Sequence, residues 1–322
     1  MIKVLIGSAG SSTAFNIASR LVNYFQNNIQ IFLTDTNSKF LVSTSIYCKK
    51  FFKVSPANTN NFKIKLKKII IKESIDVYIP INNDEIKNAI NIKKEKNFRN
   101  IVIWSSEFNK SLLNKNEANK VLEKNGISTP EIFDPKKNYP DLKKWIIKPT
   151  YSEGSKLIKI VNTRYLKSVD YNFNNKYIIQ SYFDPNKYNE ITVDSFHDKK
   201  KNKTFSICRQ RIEVKEGVCT KAKVYYDKKI NLLSKKIAFI TKQNGLICYQ
   251  LFIDKKNYFL TDLNLRAGGA TSMTCNSFYD LVVITFLMKL NKKYSNILKL
   301  NKPKKIFYIT RQYQDFISGI YE

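Results

Sequence analysis

Histidine is almost missing from this 322-residue chain. Its single copy, His197, lies in HDKKKNK, a stretch that reads as a solvated hairpin tip. One histidine cannot build a multi-histidine zinc site, and a serine or cysteine triad would depend wholly on this one poorly placed base. Cysteine offers little more. Cys48, Cys208, Cys219, Cys248 and Cys275 are odd in number, scattered, and contain no CxxC pair, which fits reduced thiols in a cytosolic protein. Long apolar runs are also absent, and no segment reaches the roughly 18 uncharged apolar residues that a membrane span needs. The opening MIKVLIGSAGSS is too short in its apolar part for a signal peptide and reads as a strand entering a glycine turn. These gaps predict a cytoplasmic protein with no membrane contact, whose chemistry runs on carboxylates, amides, lysine and arginine.

Arginine is scarce as well. Seven arginines stand against 49 lysines, and the net charge is +30. The lysines are spread over the whole length, in a chain equally heavy in Asn and Ile. That compositional bias accounts for the charge without any partner. A nucleic-acid stripe would be clustered and interleaved with exposed aromatics, so the sequence argues against nucleic acid and keeps a basic binding module only as an alternative. Three of the seven arginines, Arg209, Arg211 and Arg266, fall in two short polar strand patterns. A planar fork that grips phosphate or carboxylate bidentately is a reason to keep Arg where Lys would otherwise serve.

What is present is a globular composition, 43% hydrophobic, in a chain long enough for two or three subdomains. Residues 1 to about 108 alternate strands and helices: IKVLIG, a helix through Leu21, IQIFLTD ending at Asp35, then IDVYIPI and NIVIW. Apolar runs of this length separated by helices predict a doubly wound parallel sheet. The glycine turn is spaced GxxG rather than GxGxxG, so it can be a dinucleotide turn or a plain strand-to-helix connection. Asp35 can hold a ribose hydroxyl or cap its own turn. A helix follows in NKNEANKVLEKNGISTP, stopped near Gly126, and a Pro- and Lys-rich connection spans 131–144. Beyond it WIIKP, LIKIV, YIIQSYF, EITVDSF, TFSICRQRIEV and TKAKVYY predict antiparallel sheet. A helix is expected at roughly 230–243, a hairpin in LICYQLFID–KKN–YFLTDLNLR, a helix near 278–290, and then a short basic tail.

The hairpin carries the sharpest chemical signal. With its turn centred on Lys256, Gln250 lies across from Asp262. Asp262, Asn264 and Arg266 then share one face by the two-residue period, while Leu263 and Leu265 point the other way. Two amide oxygens and one carboxylate are few, hard ligands, the set that suits magnesium completed by waters and substrate phosphates. The competing reading is a solvated polar face, but this chain decorates its surfaces with lysine, not with ligand types. A second signal is Lys148-Pro149-Thr150-Tyr151-Ser152-Glu153-Gly154-Ser155-Lys156. Such a turn can aim backbone N–H groups at phosphate while Lys148 supplies a point charge, or it can be an ordinary hairpin.

In this order the pieces resemble the ATP-grasp superfamily, and most closely its carbamoyl-phosphate-synthetase-like members, over nearly the whole chain. The glycine turn, the Asp35 strand end and IDVYIPINNDE look like the family's N-terminal domain. Asn114-Lys115 with NGISTP looks like its entry into the second domain. IIKPTYSEGSKLI is similar to the phosphate-covering loop, IIQSYF to the adenine-contacting hinge, and EITVD to the strand whose glutamate, here Glu190, holds the ribose. RQRIEVKEGVCTK resembles an R-x-R…G segment near the triphosphate, and Gln250 with Asp262-Leu263-Asn264-Leu265-Arg266 resembles the metal pair and E-x-N-P-R. Four departures stand out: the loop keeps one glycine, Ser181 stands where a hinge glutamate is common, Asp262 replaces glutamate, and Leu265 replaces proline.

The resemblance implies an N-terminal doubly wound domain over 1–108 and an ATP-grasp domain over 109–322, with a lid at roughly 137–179. It implies ATP with Mg2+ (or Mn2+) as cofactors, a small-molecule carboxylate and amine as substrates, and leaves room for a homodimer. Nucleotide would be held by Lys115, Lys148, Ser152, Gly154, Ser155, Gln180, Ser181, Tyr182 and Glu190. The metal would sit on Gln250, Asp262 and Asn264, with Arg266 and Arg211 as catalytic residues. The implied activity is an ATP-dependent carboxylate–amine ligase working through an acyl phosphate. A nicotinamide-dependent Rossmann enzyme is the alternative that the first domain alone would allow.

Overall fold

The computed structural model describes residues 1–104, 110–151, 158–168, 176–215, 218–254, 257–297, 305–312 and 314–317. The first sheet is built from β1 (Ile2–Ile6), β2 (Ile29–Asp35), β3 (Cys48–Lys53), β4 (Val77–Ile79) and β5 (Val102–Ile103). All four pairings are parallel, in the order β3-β2-β1-β4-β5. The strands are laid down outward from β1 to one side and then from β4 to the other, which is the doubly wound arrangement expected from the apolar runs. Helices α1 (Ser12–Phe25), α2 (Asn60–Lys72) and α3 (Asn83–Lys93) make the crossovers. Elements not named from the sequence include β3 and α2. CKKFFK becomes the edge strand β3, its lysines exposed as edge strands allow, and NNFKIKLKKIIIK becomes α2. IDVYIPI pairs over only three residues, because Pro80 brings no N–H to the ladder.

The glycine turn after β1 serves packing. A Cβ on Gly7 would sit 2.3 Å from Glu85 Oε2, so only glycine lets the backbone pass this buried carboxyl. Asp35 caps the same turn: Oδ2 accepts from Gly10 N at 2.7 Å and Oδ1 from Asn37 N at 2.8 Å.

α4 (Lys115–Lys124) opens the second part of the chain. Asn114 caps it, accepting from Asn116 N and Glu117 N at 2.8 and 3.2 Å, and Gly126 ends it at φ +66. A three-stranded antiparallel sheet then forms from β6 (Lys144–Pro149), β7 (Lys159–Asn162) and β8 (Tyr177–Ser181), ordered β7-β6-β8. With α5 (Thr163–Ser168) it closes its own small core of Tyr139, Trp145, Ile147, Leu166 and Ile179.

The largest sheet is antiparallel: β9 (Asn189–Asp198), β10 (Lys203–Lys215), β11 (Val218–Tyr225), β12 (Gly245–Ile253), β13 (Tyr258–Asn264) and β14 (Phe307–Thr310), ordered β13-β12-β9-β10-β11-β14. One face packs on α4 and α6 (Lys228–Thr241). The other shares a core with the first sheet, so that Val4, Ile31 and Leu21 belong to the same cluster as Phe196, Ile207 and Phe286. The short helix α7 (Thr271–Ser277) is not among the elements expected from the sequence, and the helix expected near 278–290 is α8 (Leu281–Lys289), capped by Asp280 through Val283 N at 3.0 Å. The basic tail contains β14, paired with β11.

His197 corrects an expectation. It is buried rather than solvated, because β9 runs two residues past its apolar stretch. Its Nδ1 lies 2.9 Å from Thr204 Oγ1, and burial pushes its pKa below the usual imidazole value. All five cysteines are free thiols. Among the described residues no helix is long and apolar enough to cross a membrane.

Candidate active site

A cleft of about 620 Å³ opens where β6 and β8 face β9 to β13. Each predicted site residue within the described part of the chain lines it. Lys115 comes from α4, Lys148 from β6, and Gln180, Ser181 and Tyr182 from β8 and its exit. Glu190 comes from β9, Arg211 from β10, Gln250 from β12, and Asp262, Asn264 and Arg266 from β13 and the residues after it. Ser152, Gly154 and Ser155 lie outside the described residues.

The β12–β13 hairpin has the predicted register, reached through a bulge. Ile253 pairs with Tyr258 and Leu251 with Leu260, then Gln250 pairs with Asp262, and Thr261 is skipped. Past the bulge Asp262 and Asn264 face the cleft, while Leu263 and Leu265 enter the core beneath the sheet. Asn264 Nδ2 donates to Asp262 Oδ2 at 2.8 Å. Lys115 Nζ stands 3.8 Å from Asp262 Oδ1.

Lys148 crosses from the three-stranded sheet and donates to the carbonyl of the skipped Thr261 at 2.8 Å. Burial pulls its pKa down to about 8; Asp262 opposes that shift and Lys115 adds to it. Arg211 Nη1 forms an ion pair with Glu190 Oε1, and Gln250 Nε2 donates to the same oxygen at 3.4 Å. Both bonds use Oε1, and among the described residues no bond is made to the second oxygen of Glu190. Arg209 has a different task. It is buried against Asp194 at 2.7 Å, and Asp194 also accepts from Thr271 and Thr274. This network fixes α7 to the sheet.

Several lining residues were not singled out in the sequence. Phe252 stacks on Phe183 at 5.1 Å with ring planes 14° apart, facing Ile146 and Ile158 across an apolar slot. Phe252 is two residues beyond Gln250 on the same strand face, so the two-residue period contained that signal. β8 leaves its ladder where Ser181 N bonds Glu131 O and Tyr182 N bonds Lys144 O. Thr192, Cys219, Cys248 and Gly268 to Ala270 complete the far end. Across the whole lining, Lys115, Lys148, Arg209, Arg211 and Arg266 outnumber Glu190 and Asp262.

A second cavity, of about 420 Å³, opens at the carboxyl ends of β1, β2 and β4. Asp35, Asp84 and Glu85 line it with Lys87. Both Asp35 oxygens are engaged, Oδ2 by Gly10 of the glycine turn and Oδ1 by Asn37, and the acidic lining is of the wrong sign for a dinucleotide pyrophosphate. The nicotinamide reading thus loses the two features that suggested it.

A small doubly wound sheet followed by two antiparallel sheets that enclose a cation-rich cleft is the ATP-grasp architecture. The ATP-grasp domain family matches residues 112–270, just under half of the chain. Solved structures agree on the fold. Biotin carboxylase from Campylobacter jejuni in complex with β,γ-ATP superposes with a TM-score of 0.68 at 13% identity, over 91% of this chain and 72% of that one. L-amino acid ligase from Bacillus licheniformis gives 0.65 at 11%, over 92% and 76%. Pyruvate carboxylase from Rhizobium etli gives 0.68 at 11%, over 91% of this chain, which spans only 29% of that enzyme. Comparison with curated proteins found no match.

Proposed function

We propose that this protein is an ATP- and Mg2+-dependent ligase that activates a carboxylate as an acyl phosphate and joins it to an amine. The observation that carries this reading is the pairing of Gln250 with Asp262, with Asn264 on the same face, in one cleft with Lys115, Lys148, Arg211 and Arg266. In the first step a substrate carboxylate oxygen attacks the terminal phosphorus of ATP and ADP leaves. In the second the amine nitrogen attacks the acyl carbon, phosphate leaves, and the nitrogen loses a proton. Both steps ask for positioning and charge neutralisation rather than a covalent nucleophile, which agrees with a cleft that has no histidine in its lining.

The donor set fits a divalent ion. Among the described residues no group of three or more His, Cys, Asp or Glu side chains could hold one alone. Asp262, Asn264 and Gln250 therefore make an incomplete, oxygen-rich shell that phosphate oxygens and water would finish, as suits Mg2+ (or Mn2+). When bound, the ion would supply positive charge that neutralises phosphate oxygens. Lys115 and Lys148 hold phosphate oxygens, and the second oxygen of Glu190 receives a ribose hydroxyl. The slot of Ile146, Ile158, Phe183 and Phe252 takes the base, with Gln180, Ser181 and Tyr182 along its edge. Arg266 and Arg211 face the migrating phosphoryl group. The segment 137–179 acts as the lid over this site and keeps water from the acyl phosphate.

Two measurements test the reading. Mg-ATP at millimolar concentration should raise the melting temperature, and EDTA should cancel the rise. ADP release from Mg-ATP, screened against pooled amino acids and small carboxylates, should identify the substrates. A melting temperature indifferent to nucleotide and EDTA would overturn the proposal.

A further inference from the structure

Four of the chain's seven arginines donate into one six-residue segment, 267–272. Arg266 Nη1 reaches Ala267 O at 3.0 Å, and Arg209 Nη1 reaches Ala270 O at 2.5 Å. Arg20 Nη2, from α1, reaches Ser272 O at 3.1 Å. Arg311 Nη2 reaches both Gly269 O at 3.1 Å and Ser272 Oγ at 2.9 Å. In a chain that otherwise uses lysine, this concentration has a physical reason. One guanidinium serves several acceptors at fixed angles, which an ammonium on a flexible stem does not.

The braced segment is the end wall of the cleft. Gly268, Gly269 and Ala270 line it just beyond Arg266. The wall has little slack, since a Cβ on Gly269 would lie 3.1 Å from Ser12 Oγ at the start of α1. Arg311 approaches from the opposite side, on the tail that follows β14. Its own backbone is fixed, Arg311 N donating to Thr220 O at 2.8 Å, and five residues on Phe316 rests on Phe15 with ring centroids 5.1 Å apart. The tail lies beyond the 112–270 segment that the family match covers.

We infer that Arg311 is a positioning residue for the far end of the cleft. By holding the Gly269 carbonyl and the Ser272 hydroxyl it sets the path of the 267–270 turn. Arg266 bonds the first carbonyl of that turn, so the same brace sets its guanidinium. The inference rests on the ligase reading only in taking this end as the one where the phosphoryl group meets its acceptor.

The test has two arms. Hydrogen exchange of peptides covering 265–272 is compared among the wild type, Arg311→Lys and Arg311→Ala. Loss of two bonds from a charged donor should speed exchange there about tenfold in Arg311→Ala. Arg311→Lys, able to restore one bond, should fall between, and peptides from β9 and β12 should not change. In the second arm, Mg-ADP is titrated with and without fluoroaluminate, an analogue of the migrating phosphoryl group. Affinity for Mg-ADP alone should be unaffected, while the extra affinity given by fluoroaluminate should fall about tenfold in Arg311→Ala and partly recover in Arg311→Lys. Unchanged exchange at 265–272, or equal loss of both affinities, overturns the inference. If the wild type itself ignores Mg-ADP, the ligase reading fails, and the exchange arm still decides the brace. Should Arg311→Ala not fold, Arg311→Gln takes its place in both arms.

Discussion

Lys148 bonds the carbonyl of the residue that the β12–β13 pairing skips. Thr261 is skipped when Leu251 pairs with Leu260 and Gln250 with Asp262, and its oxygen accepts Lys148 Nζ at 2.8 Å. The bulge therefore does two things at once. It shifts the register by one so that Asp262 and Asn264 face the cleft, and it offers an acceptor to the lysine of the opposing sheet.

That lysine should give nucleotide binding a pH dependence. Its pKa is held at about 8 in the folded protein, and only the ammonium attracts phosphate. ADP affinity should be flat below pH 8 and weaken roughly tenfold per pH unit above it. Lys148→Met should bind weakly at all pH values and show no step. The same shift affects stability with a definite sign. Between about 8 and 10.5 the unfolded chain keeps a proton that the folded chain has released, so unfolding free energy should rise with pH across that window. Calorimetric affinities from pH 7 to 9.5 check the first claim, and denaturant midpoints check the second.

Removing the proposed metal ligands should separate activity from stability. Asp262→Ala and Asn264→Ala should each cut ADP formation roughly a hundredfold or more, the scale of losing a metal's charge stabilisation. Both side chains face the cleft rather than the core, so melting temperatures should stay near wild type. Asp262→Ala should also move the Lys148 step to lower pH, because Asp262 is the group that opposes the lysine's depression. Turnover retained in either variant would remove that residue from the metal site.

The arginines call for a split between binding and rate. Arg211→Lys and Arg266→Lys keep the charge and lose the fork. Nucleotide affinity should change little, while turnover should fall roughly ten- to a thousandfold if each stabilises the transferred group. Arg211 is also paired with Glu190, so its variant should show a modest affinity loss that Arg266→Lys does not. Unchanged turnover in both would reduce them to structural residues.

Glu85 should make the first sheet pH-sensitive. Burial raises its carboxyl to about 7, against hydrogen bonds from Ile81 N, Asn82 N and Ser8 that favour the charged form. Between 4.5 and about 7 the folded state binds the extra proton, so stability should fall as pH rises through this range, by an amount on the order of 3 kcal/mol. Glu85→Gln should flatten the slope. Thermal melts at pH 5, 6 and 7.5 on both proteins provide the check.

The sequence told more about the site than about its supports. Gln250, Asp262 and Asn264 were legible because a two-residue period and one turn centre fix which side chains share a face. The pairing survived although Ile253 meets Tyr258, half a residue away from a turn centred on Lys256, because the bulge restores the register. The bulge itself has no sequence mark: Thr261 looks like any strand residue. Arg209 read like Arg211, both being arginines two apart on one strand, yet buried Asp194 pairs with the first and Glu190, at the cleft, with the second. That distinction depends on a carboxylate 15 residues away, which local pattern cannot locate. Arg311 stayed hidden because a short tail gives no period to read until β11 pairs with it. The strand β3 failed for the opposite reason, its exposed lysines mimicking a loop.

The core shared by the parallel sheet and the six-stranded sheet has a practical consequence for dissecting the molecule. Val4, Ile6, Ile31 and Leu21 are buried against the same cluster as Phe196, Ile207 and Phe286, so neither sheet has a finished apolar face alone. A fragment cut near residue 108 would carry half of that cluster bare to water and should precipitate rather than fold, and the remaining piece should fare no better. The three-stranded sheet closes around five residues of its own. It is the one part that could be excised, swapped for another of equal span, or locked by an engineered crosslink while the rest of the protein kept its fold.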